Sequence, residues 1–292
     1  MQKISYLFLA AILLLQACSL NGDNTYENNV KSNEQIIQQY ITNKNLQVQA
    51  STSGLRYKVT NYNSAAKAPS TGSQIVMAYV GKLTNGTVFD TARNKPDEFL
   101  RFPYRGNYVI PGIEEVVGYM KTGDSAIAIV PFYLGFGSNA AYNGVVPSYS
   151  VLVFDLKLVA VQTEDEALQD YISRKKFPED SVVKTQTGLY AYFKKKNPSG
   201  TAVSGKSQAT VTYKGTFLDG QIFDQTPTGQ TSNFYLTNSG LIAGFTEALK
   251  LMKVGETAVF MMPSSLGYKE SGTTGIPPYS PLVFEVSVVS AQ

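Results

Sequence analysis

The sequence has no histidine, no tryptophan and a single cysteine in its 292 residues. Without histidine there can be no Ser-His-Asp or Cys-His catalysis and no histidine-ligated metal site, and one cysteine cannot form a disulfide within the chain. Charge of one sign is also scarce, because 25 Lys and Arg face 22 Asp and Glu, for a net charge of +3. Such a balance argues against nucleic acid as a partner. Any chemistry must therefore come from carboxylates, hydroxyls, amides and apolar surface.

The hydrophobic content indicates folded domains rather than disorder. Hydrophobic residues make up 43% of the chain, close to the globular norm. At roughly 150 residues per domain, the length corresponds to about two domains.

The N-terminus has the pattern of an export signal over residues 1–17. Lys3 precedes a mostly apolar segment, Ile4 to Leu15, which is shorter than the roughly 20 residues that span a bilayer but suits a signal-peptide core. The cysteine follows in Leu-Gln-Ala-Cys, a sequence that resembles the lipobox of bacterial lipoproteins, in which the cysteine is lipidated. We therefore expect a lipid at Cys18, a flexible polar tether over residues 18–33, and anchoring to a bacterial membrane in the cell envelope, outside the cytoplasm. A plain secretory signal with an incidental cysteine is the alternative.

The rest of the chain repeats itself. Residues 78–90, AYVGKLTNGTVFD, match residues 212–224, TYKGTFLDGQIFD, at the tyrosine, both glycines, the phenylalanine and the aspartate. Later segments keep the same order. Two copies are too few for a solenoid, which needs at least about three repeats. We therefore predict two globular domains, the first at 34–162 and the second at 163–292.

Each copy carries the same local signals. Thr163-x-x-Glu166 is a capping box that predicts a leading helix, and Ser32-x-x-Gln35 is a weaker one. Asn85-Gly86 and Asp219-Gly220 favour type I′ hairpin turns. Short helices, each followed by a glycine stop, are predicted over residues 112–120 and 244–252. Strands before and after a short helix indicate an α+β fold with an antiparallel sheet in each copy.

In this order and found twice, the motifs resemble the FKBP-type peptidyl-prolyl isomerase family. The opening signature, Tyr-x-Gly, Asn-Gly or Asp-Gly, and then Phe-Asp, is continued by Val-Ile-Pro-Gly at 109–112, Gly-Glu-Thr-Ala at 255–258 and Ile-Pro-Pro at 276–278. The resemblance covers nearly everything after the tether. It implies two tandem domains, each with a five- or six-stranded antiparallel sheet curled around the short helix and an aromatic pocket between them.

The resemblance also implies the residues of each pocket. In the second domain it implies catalytic roles for Asp224, Tyr268 and the backbone N–H of Ile242. The other residues of the second pocket would be Tyr213, Phe223, Phe234, Leu241, Phe245, Ile276 and Phe284. The first pocket would comprise Tyr79, Phe89, Asp90, Phe102, Val109, Ile110, Ile113, Phe136, Val146 and Phe154. Arg93 matches a family arginine that accompanies the aspartate.

Two departures from the family separate the copies. The family usually has a tryptophan on the pocket floor, where this chain has Ile113 and Phe245, and only Phe245 keeps an aromatic face for a proline ring. The family also places a tyrosine hydroxyl beside the bound carbonyl, which Tyr268 keeps and Phe136 loses. We therefore expect the second domain to be the better isomerase, with two equal pockets as the alternative. The aspartate after each Phe is expected to be buried.

A peptidyl-prolyl isomerase needs no nucleophile, because rotation about an amide breaks no bond. The expected function is isomerisation of X-Pro segments in exported proteins, with no metal and no cofactor. The alternatives are a non-catalytic chaperone or proline-segment binding module, and a scaffold lipoprotein. Residues 200–207 fit the P-loop pattern, but the alternating segment after them predicts a strand where a P-loop needs a helix. We therefore expect no nucleotide and no nucleic acid partner.

Overall fold

The structure is a computed structural model that describes residues 25–61, 63–92, 98–237 and 240–292. The signal peptide prediction, Cys18 and Arg93 lie outside the described residues. Within the described ranges, no helix combines the length and the hydropathy needed to cross a bilayer.

The first domain is built on an antiparallel sheet in the spatial order β1-β2-β6-β7-β3-β4, with β5 also paired to β3. Strand β3 pairs along its whole length with β7, and its other side pairs with β5 and then β4. The strands are β1 (Gln49–Ala50), β2 (Arg56–Thr60), β3 (Gln74–Leu83), β4 (Val88–Ala92), β5 (Leu100–Pro103), β6 (Ser125–Val130) and β7 (Leu152–Gln162).

The second domain repeats this topology strand for strand, in the order β8-β9-β13-β14-β10-β11 with β12 paired to β10. Its strands are β8 (Val182–Lys184), β9 (Tyr190–Lys195), β10 (Gln208–Thr216), β11 (Ile222–Gln225), β12 (Ser232–Tyr235), β13 (Thr257–Met262) and β14 (Leu282–Ala291). The α+β fold with two antiparallel sheets is thus confirmed. Each sheet has seven strands in the described part of the chain, more than the five or six that the resemblance implies.

Helices cover both faces of each sheet. The short helices α2 (Pro111–Gly118) and α4 (Ala243–Lys250) pack on the face that carries the aromatic rings, whereas α1 (Thr25–Asn43) and α3 (Glu164–Arg174) pack on the opposite face. Ile37 of α1, for example, belongs to one hydrophobic cluster with Val151 and Val153, while Leu152 and Phe154 belong to the core on the other side. This alternation follows from the two-residue period of a strand.

Helix α1 corrects the tether prediction, because it begins at Thr25 and runs through the expected cap at Ser32. Residues 25–33 of the predicted tether are therefore helical. The signal that was missed is Asn33, which is buried. Its Oδ1 accepts from the Phe132 N–H at 2.9 Å and its Nδ2 donates to the Tyr149 carbonyl at 2.9 Å, which fixes α1 to the segments that follow β6 and precede β7.

The second leading helix begins where the sequence predicts. Thr163 Oγ1 accepts from the Glu166 N–H at 3.2 Å, and the Glu166 carboxylate accepts from the Thr163 N–H at 2.6 Å, so the capping box is confirmed. Glu164 accepts from the Ser264 N–H and hydroxyl, at the place where Asn33 binds Phe132 in the first domain. The repeat therefore includes the helix and its polar attachment to the sheet.

The hairpin turns are not type I′. In each turn only the glycine, Gly86 or Gly220, has a positive φ, which is 94° in both cases. The preceding residue, Asn85 or Asp219, does not. The loops have three residues, closed by bonds such as Gly86 N–H to the Leu83 carbonyl at 2.9 Å. A three-residue loop with a final left-handed glycine forms a bulge that accommodates the strand twist, so the second positive φ of a I′ turn is not needed.

The short helices end earlier than predicted, at Gly118 and Lys250. Gly123 and Gly255 have positive φ but lie in the turns that follow. Residues 200–207 form turns and an isolated bridge and lead directly into β10, so no helix follows the P-loop-like sequence.

Candidate functional site

Four aromatic rings of the second domain form one contacting cluster at the predicted second pocket. Tyr213 on β10, Phe234 on β12, Phe245 on α4 and Phe284 on β14 have ring centroids between 5.0 and 6.5 Å apart in their contacting pairs. Phe245 and Phe284 are buried, while Tyr213 and Phe234 are half-buried. The predicted second pocket therefore combines two buried rings with two that remain partly exposed.

The glycine of each Tyr-x-Gly motif allows a Phe ring to lie across the strand. A Cβ on Gly215 would lie 2.6 Å from Cζ of Phe223, and one on Gly81 would lie 2.7 Å from Cζ of Phe89. Phe223 then packs against Phe284 at 5.5 Å. The motif therefore places the residue before the aspartate against the pocket's own core.

The aspartate of the second pocket is exposed, not buried as expected. Tyr213 donates its hydroxyl proton to Asp224 Oδ2 at 2.6 Å. Burial first, and the hydrogen bond to Asp224 second, raise the pKa of Tyr213 far above its ordinary value. The tyrosine stays protonated and holds Asp224 beside the pocket, while water reaches the carboxylate and lowers the cost of its charge.

The hydroxyl of Tyr268 is a second donor at this site. Tyr268 is half-buried against the aromatic cluster, and burial, followed by the charge of Asp224, raises its pKa. No hydrogen bond joins this hydroxyl to another described residue. Tyr268 therefore presents a proton that is free to bind a ligand oxygen.

The start of α4 supplies a third donor. Ile242 precedes the helix, and its carbonyl accepts from the N–H groups of Phe245 and Thr246 at 3.1 Å each. Its own N–H has no acceptor among the described residues, as expected where a helix begins. Ile110 occupies the same place before α2 in the first domain.

The structure brings the remaining predicted residues of the second pocket to the same cluster. Leu241 and Ile242 are partly buried against it, and Ile276 is buried within it. Their roles in binding remain predictions.

In the first domain a cavity joins most of the predicted residues and adds four others. The predicted residues that line it are Tyr79, Asp90, Val109, Ile110, Ile113, Phe136 and Phe154. The additional ones are Met77, Leu100, Tyr108 and Tyr142. Phe102 and Val146 do not line this cavity, because both are buried in the core. Phe89 also lies outside its lining and packs behind Phe136 and Phe154.

Tyr142 changes the comparison between the two pockets. Its hydroxyl donates to Asp90 Oδ2 at 2.6 Å, and the Tyr79 hydroxyl donates to the same atom at 2.6 Å. The first pocket therefore contains a hydroxyl on a ring that packs edge-on against Phe136, with the two centroids 5.7 Å apart. Burial, followed by the bond to Asp90, raises the pKa of Tyr142, so its single proton stays with the carboxylate. The sequence gives no motif for this residue, since the second copy has no tyrosine in that loop.

Among the described residues, no group of three or more Asp, Glu, Cys or His side chains is placed to hold a metal ion. The pockets offer rings, hydroxyls and backbone N–H groups, which suit an uncharged apolar ligand with a carbonyl.

A family model for the FKBP-type peptidyl-prolyl cis-trans isomerases matches the chain twice, over residues 65–159 and 199–289. Peptidyl-prolyl cis-trans isomerase FKBP9 of Mus musculus is 28% identical over 240 residues, which cover 82% of this chain and 38% of that protein. The FKBP-type isomerase FkpA of Escherichia coli K12 is 37% identical over 120 residues, covering 41% of this chain and 44% of FkpA. The chain thus spans less than half the length of either relative.

Among solved structures, the three FKBP domains of wheat FKBP73 superpose with a TM-score of 0.37 at 22% identity, covering 85% of this chain and 99% of that one. The two matches of the family model, one to each repeat, are stronger evidence of relationship than this superposition.

Proposed function

The chain belongs to the FKBP-type peptidyl-prolyl cis-trans isomerase family, and on that premise we propose that it catalyses the cis–trans isomerisation of X-Pro bonds, chiefly in the second pocket. The observation that carries this proposal is the combination found there of an aromatic cluster with two donors, the Tyr268 hydroxyl and the Ile242 N–H, that bond to no other described residue.

The reaction requires stabilisation of a twisted amide. The rotation barrier of about 18–20 kcal/mol arises from the double-bond character of the C–N bond. Water favours the planar, charge-separated form, so a pocket that replaces water with aromatic rings lowers the barrier to twisting. Phe245 and its neighbouring rings would receive the proline ring.

The donors of the second pocket would hold the substrate while it twists. The Ile242 N–H and the Tyr268 hydroxyl can bind a carbonyl of the flanking chain. Asp224, held by Tyr213 at 2.6 Å, lies at the mouth, where it orients the pocket or faces the rotating carbonyl. No proton is transferred and no bond is broken, which accords with a chain that has no histidine.

The unequal supply of free donors favours the second pocket over the first. In the first pocket Tyr79 and Tyr142 both give their protons to Asp90, and Phe136 has none to offer. Its floor residue is Ile113 instead of an aromatic ring. The first pocket retains the N–H of Ile110, which has no acceptor among the described residues, and apolar walls, so it can still bind a proline segment.

Catalysed exchange of an X-Pro peptide tests the proposal. The double variant Asp224→Leu with Tyr268→Phe should lose most of the turnover, whereas Asp90→Leu with Tyr142→Phe should keep most of it. Each variant removes the carboxylate that binds a tyrosine hydroxyl, so both should lower the melting temperature by a similar amount, and a difference in turnover between them is then not a difference in stability. Unchanged turnover in the first double variant would move the activity to the first pocket.

We further propose that the protein is lipid-anchored through Cys18 in the bacterial cell envelope, outside the cytoplasm, and acts on exported proteins. The support is the sequence of residues 1–18, with the chain's one cysteine at the end of the signal. Membrane fractionation of the full-length protein and of Cys18→Ala is the test. The parent should sediment with membranes and the variant should not, and equal solubility of the two would contradict the anchor.

A second candidate function, a proline-segment binding module without turnover, is favoured for the first domain by the occupied Tyr142 hydroxyl and by Ile113. Tight peptide binding without accelerated exchange, in a chain whose second pocket is disabled, would support it.

A further inference from the structure

The hairpin between β10 and β11 of the second domain reaches the first pocket. The Tyr108 hydroxyl lies 3.1 Å from Asp219 Oδ2 and 3.0 Å from Gln221 Oε1, to one of which it donates. The ring of Phe217, at the base of the same hairpin, meets the Tyr108 ring edge-on at 6.3 Å. Tyr108 is also stacked on Phe102 at 6.5 Å, so its ring is held from both domains.

Tyr108 lines the first pocket directly before Val109 and Ile110. The second copy has Gly240 at this position, so the aromatic wall is specific to the first pocket. Tyr108 lies in the pocket whose floor residue is Ile113, an aliphatic side chain, so the floor of that pocket has no aromatic face. Tyr108 can supply that face only while its ring is kept at the pocket's edge.

We propose that the first pocket is a composite site, in which Asp219 and Gln221 of the second domain position Tyr108 and so set the pocket's affinity for a proline-containing segment. The inference rests on the proposed function only in taking the ligand to be such a segment. Asp219 and Gln221 are positioning residues, because they act through the Tyr108 ring.

Other contacts keep the domains together independently of this bond. Gln74 Nε2 donates to the Tyr279 carbonyl at 2.8 Å, and Arg101, whose side chain is 8% exposed, pairs with Asp170 at 3.4 Å. Loss of the Tyr108 bond should therefore release one ring without separating the domains, which makes its effect on the first pocket measurable.

The hairpin also keeps its own shape when the charge of Asp219 is removed conservatively. Asp219 Oδ1 accepts from the Gln221 N–H at 2.8 Å, a bond that an asparagine oxygen can replace. Asp219→Asn is therefore a matched control: its oxygen retains the turn, its Nδ2 can donate to the Tyr108 hydroxyl oxygen, and Tyr108 can still donate to Gln221 Oε1.

The experiment measures binding of a fluorescent X-Pro peptide to the full chain with the second pocket disabled by Asp224→Leu and Tyr268→Phe. On this background, Asp219→Ala with Gln221→Ala should weaken binding about three- to tenfold, the effect of one net hydrogen bond. Tyr108→Phe should weaken it similarly. The combined variant should be no weaker than either, because all three changes break the same link. Asp219→Asn should stay within about twofold of the parent.

Two results would overturn the inference, and they are distinguishable. If the parent background binds the peptide and the alanine pair binds it equally well, the second domain does not set the first pocket's affinity, and the proposed isomerase function is untouched. If the parent background binds no peptide, the first pocket is not a proline site and the inference fails with that part of the proposal. Melting temperatures show whether a loss of binding reflects a loss of folding. Tyr108→Phe breaks the same bond from the first domain and so provides a second, independent variant.

Discussion

Tyr268→Phe separates the chemistry of the second pocket from its stability. The change removes one oxygen from a half-buried ring and leaves the ring in the aromatic cluster. Since that hydroxyl bonds to no other described residue, no protein partner is left unsatisfied. The free energy of unfolding should therefore change by no more than about 0.5 kcal/mol.

Activity should respond more strongly, because the same hydroxyl is the proposed donor to the substrate carbonyl. One net hydrogen bond is worth about 0.5–1.5 kcal/mol, which corresponds to a loss of about two- to twelvefold in kcat/KM. The assay is catalysed exchange of an X-Pro peptide, with denaturant unfolding of the same samples.

Tyr213→Phe is the matched comparison. It also removes one hydroxyl, but it breaks the 2.6 Å bond to Asp224 and should lower stability as well as activity. The reasoning would be refuted if Tyr268→Phe kept full kcat/KM, or if it destabilised the protein as much as Tyr213→Phe does.

Three further predictions concern packing, pH dependence and capping. Gly215→Ala and Gly81→Ala should each destabilise the protein by about 1–3 kcal/mol through overpacking, because the new Cβ would lie 2.6–2.7 Å from a Phe ring. Denaturant unfolding measures this loss. Two variants as stable as the parent would contradict the close approach. Burial raises the pKa of Glu164 above its ordinary 4.5. The protonated Glu164 side chain therefore stabilises the fold fully below pH 4.5, and this stabilisation is lost as the pH rises through the raised pKa. Glu164→Gln should remove this loss in melting curves, because an amide can keep the bonds to Ser264, and an unchanged difference between acid and neutral pH would argue against it. Thr163→Ala should cost about 1 kcal/mol as a lost helix cap, and a melting temperature equal to the parent's would show that the cap adds nothing.

The sequence predicts the features that repeat at constant spacing. The two sheets and the capping box of α3 follow from residues that occur in both copies or in a strong local motif, whereas the hydrogen bond between the tyrosine and the aspartate of each copy is seen only in the structure. Asp224 is a partial exception, since its position follows from the motif but its exposure does not.

The features that the sequence does not predict depend on loops or on contacts between distant residues. Tyr142 has no tyrosine counterpart in the matching loop of the second copy, and the Tyr108 ring is held by a hairpin of the other domain. Asn33 is a polar residue in a polar segment, and only its burial against Phe132 shows that α1 extends through the predicted tether. No local pattern contains this information.

The most direct test of the account compares kcat/KM for X-Pro exchange between two forms of the full chain, each with one pocket disabled. The form with only the second pocket intact, carrying Asp90→Leu and Tyr142→Phe, should retain most of the parent's value. The form with only the first pocket intact, carrying Asp224→Leu and Tyr268→Phe, should retain a small fraction of it while still binding the peptide. Equal values in the two forms would contradict the assignment of the activity to the second pocket, and no catalysis by the parent chain would contradict the proposed function itself.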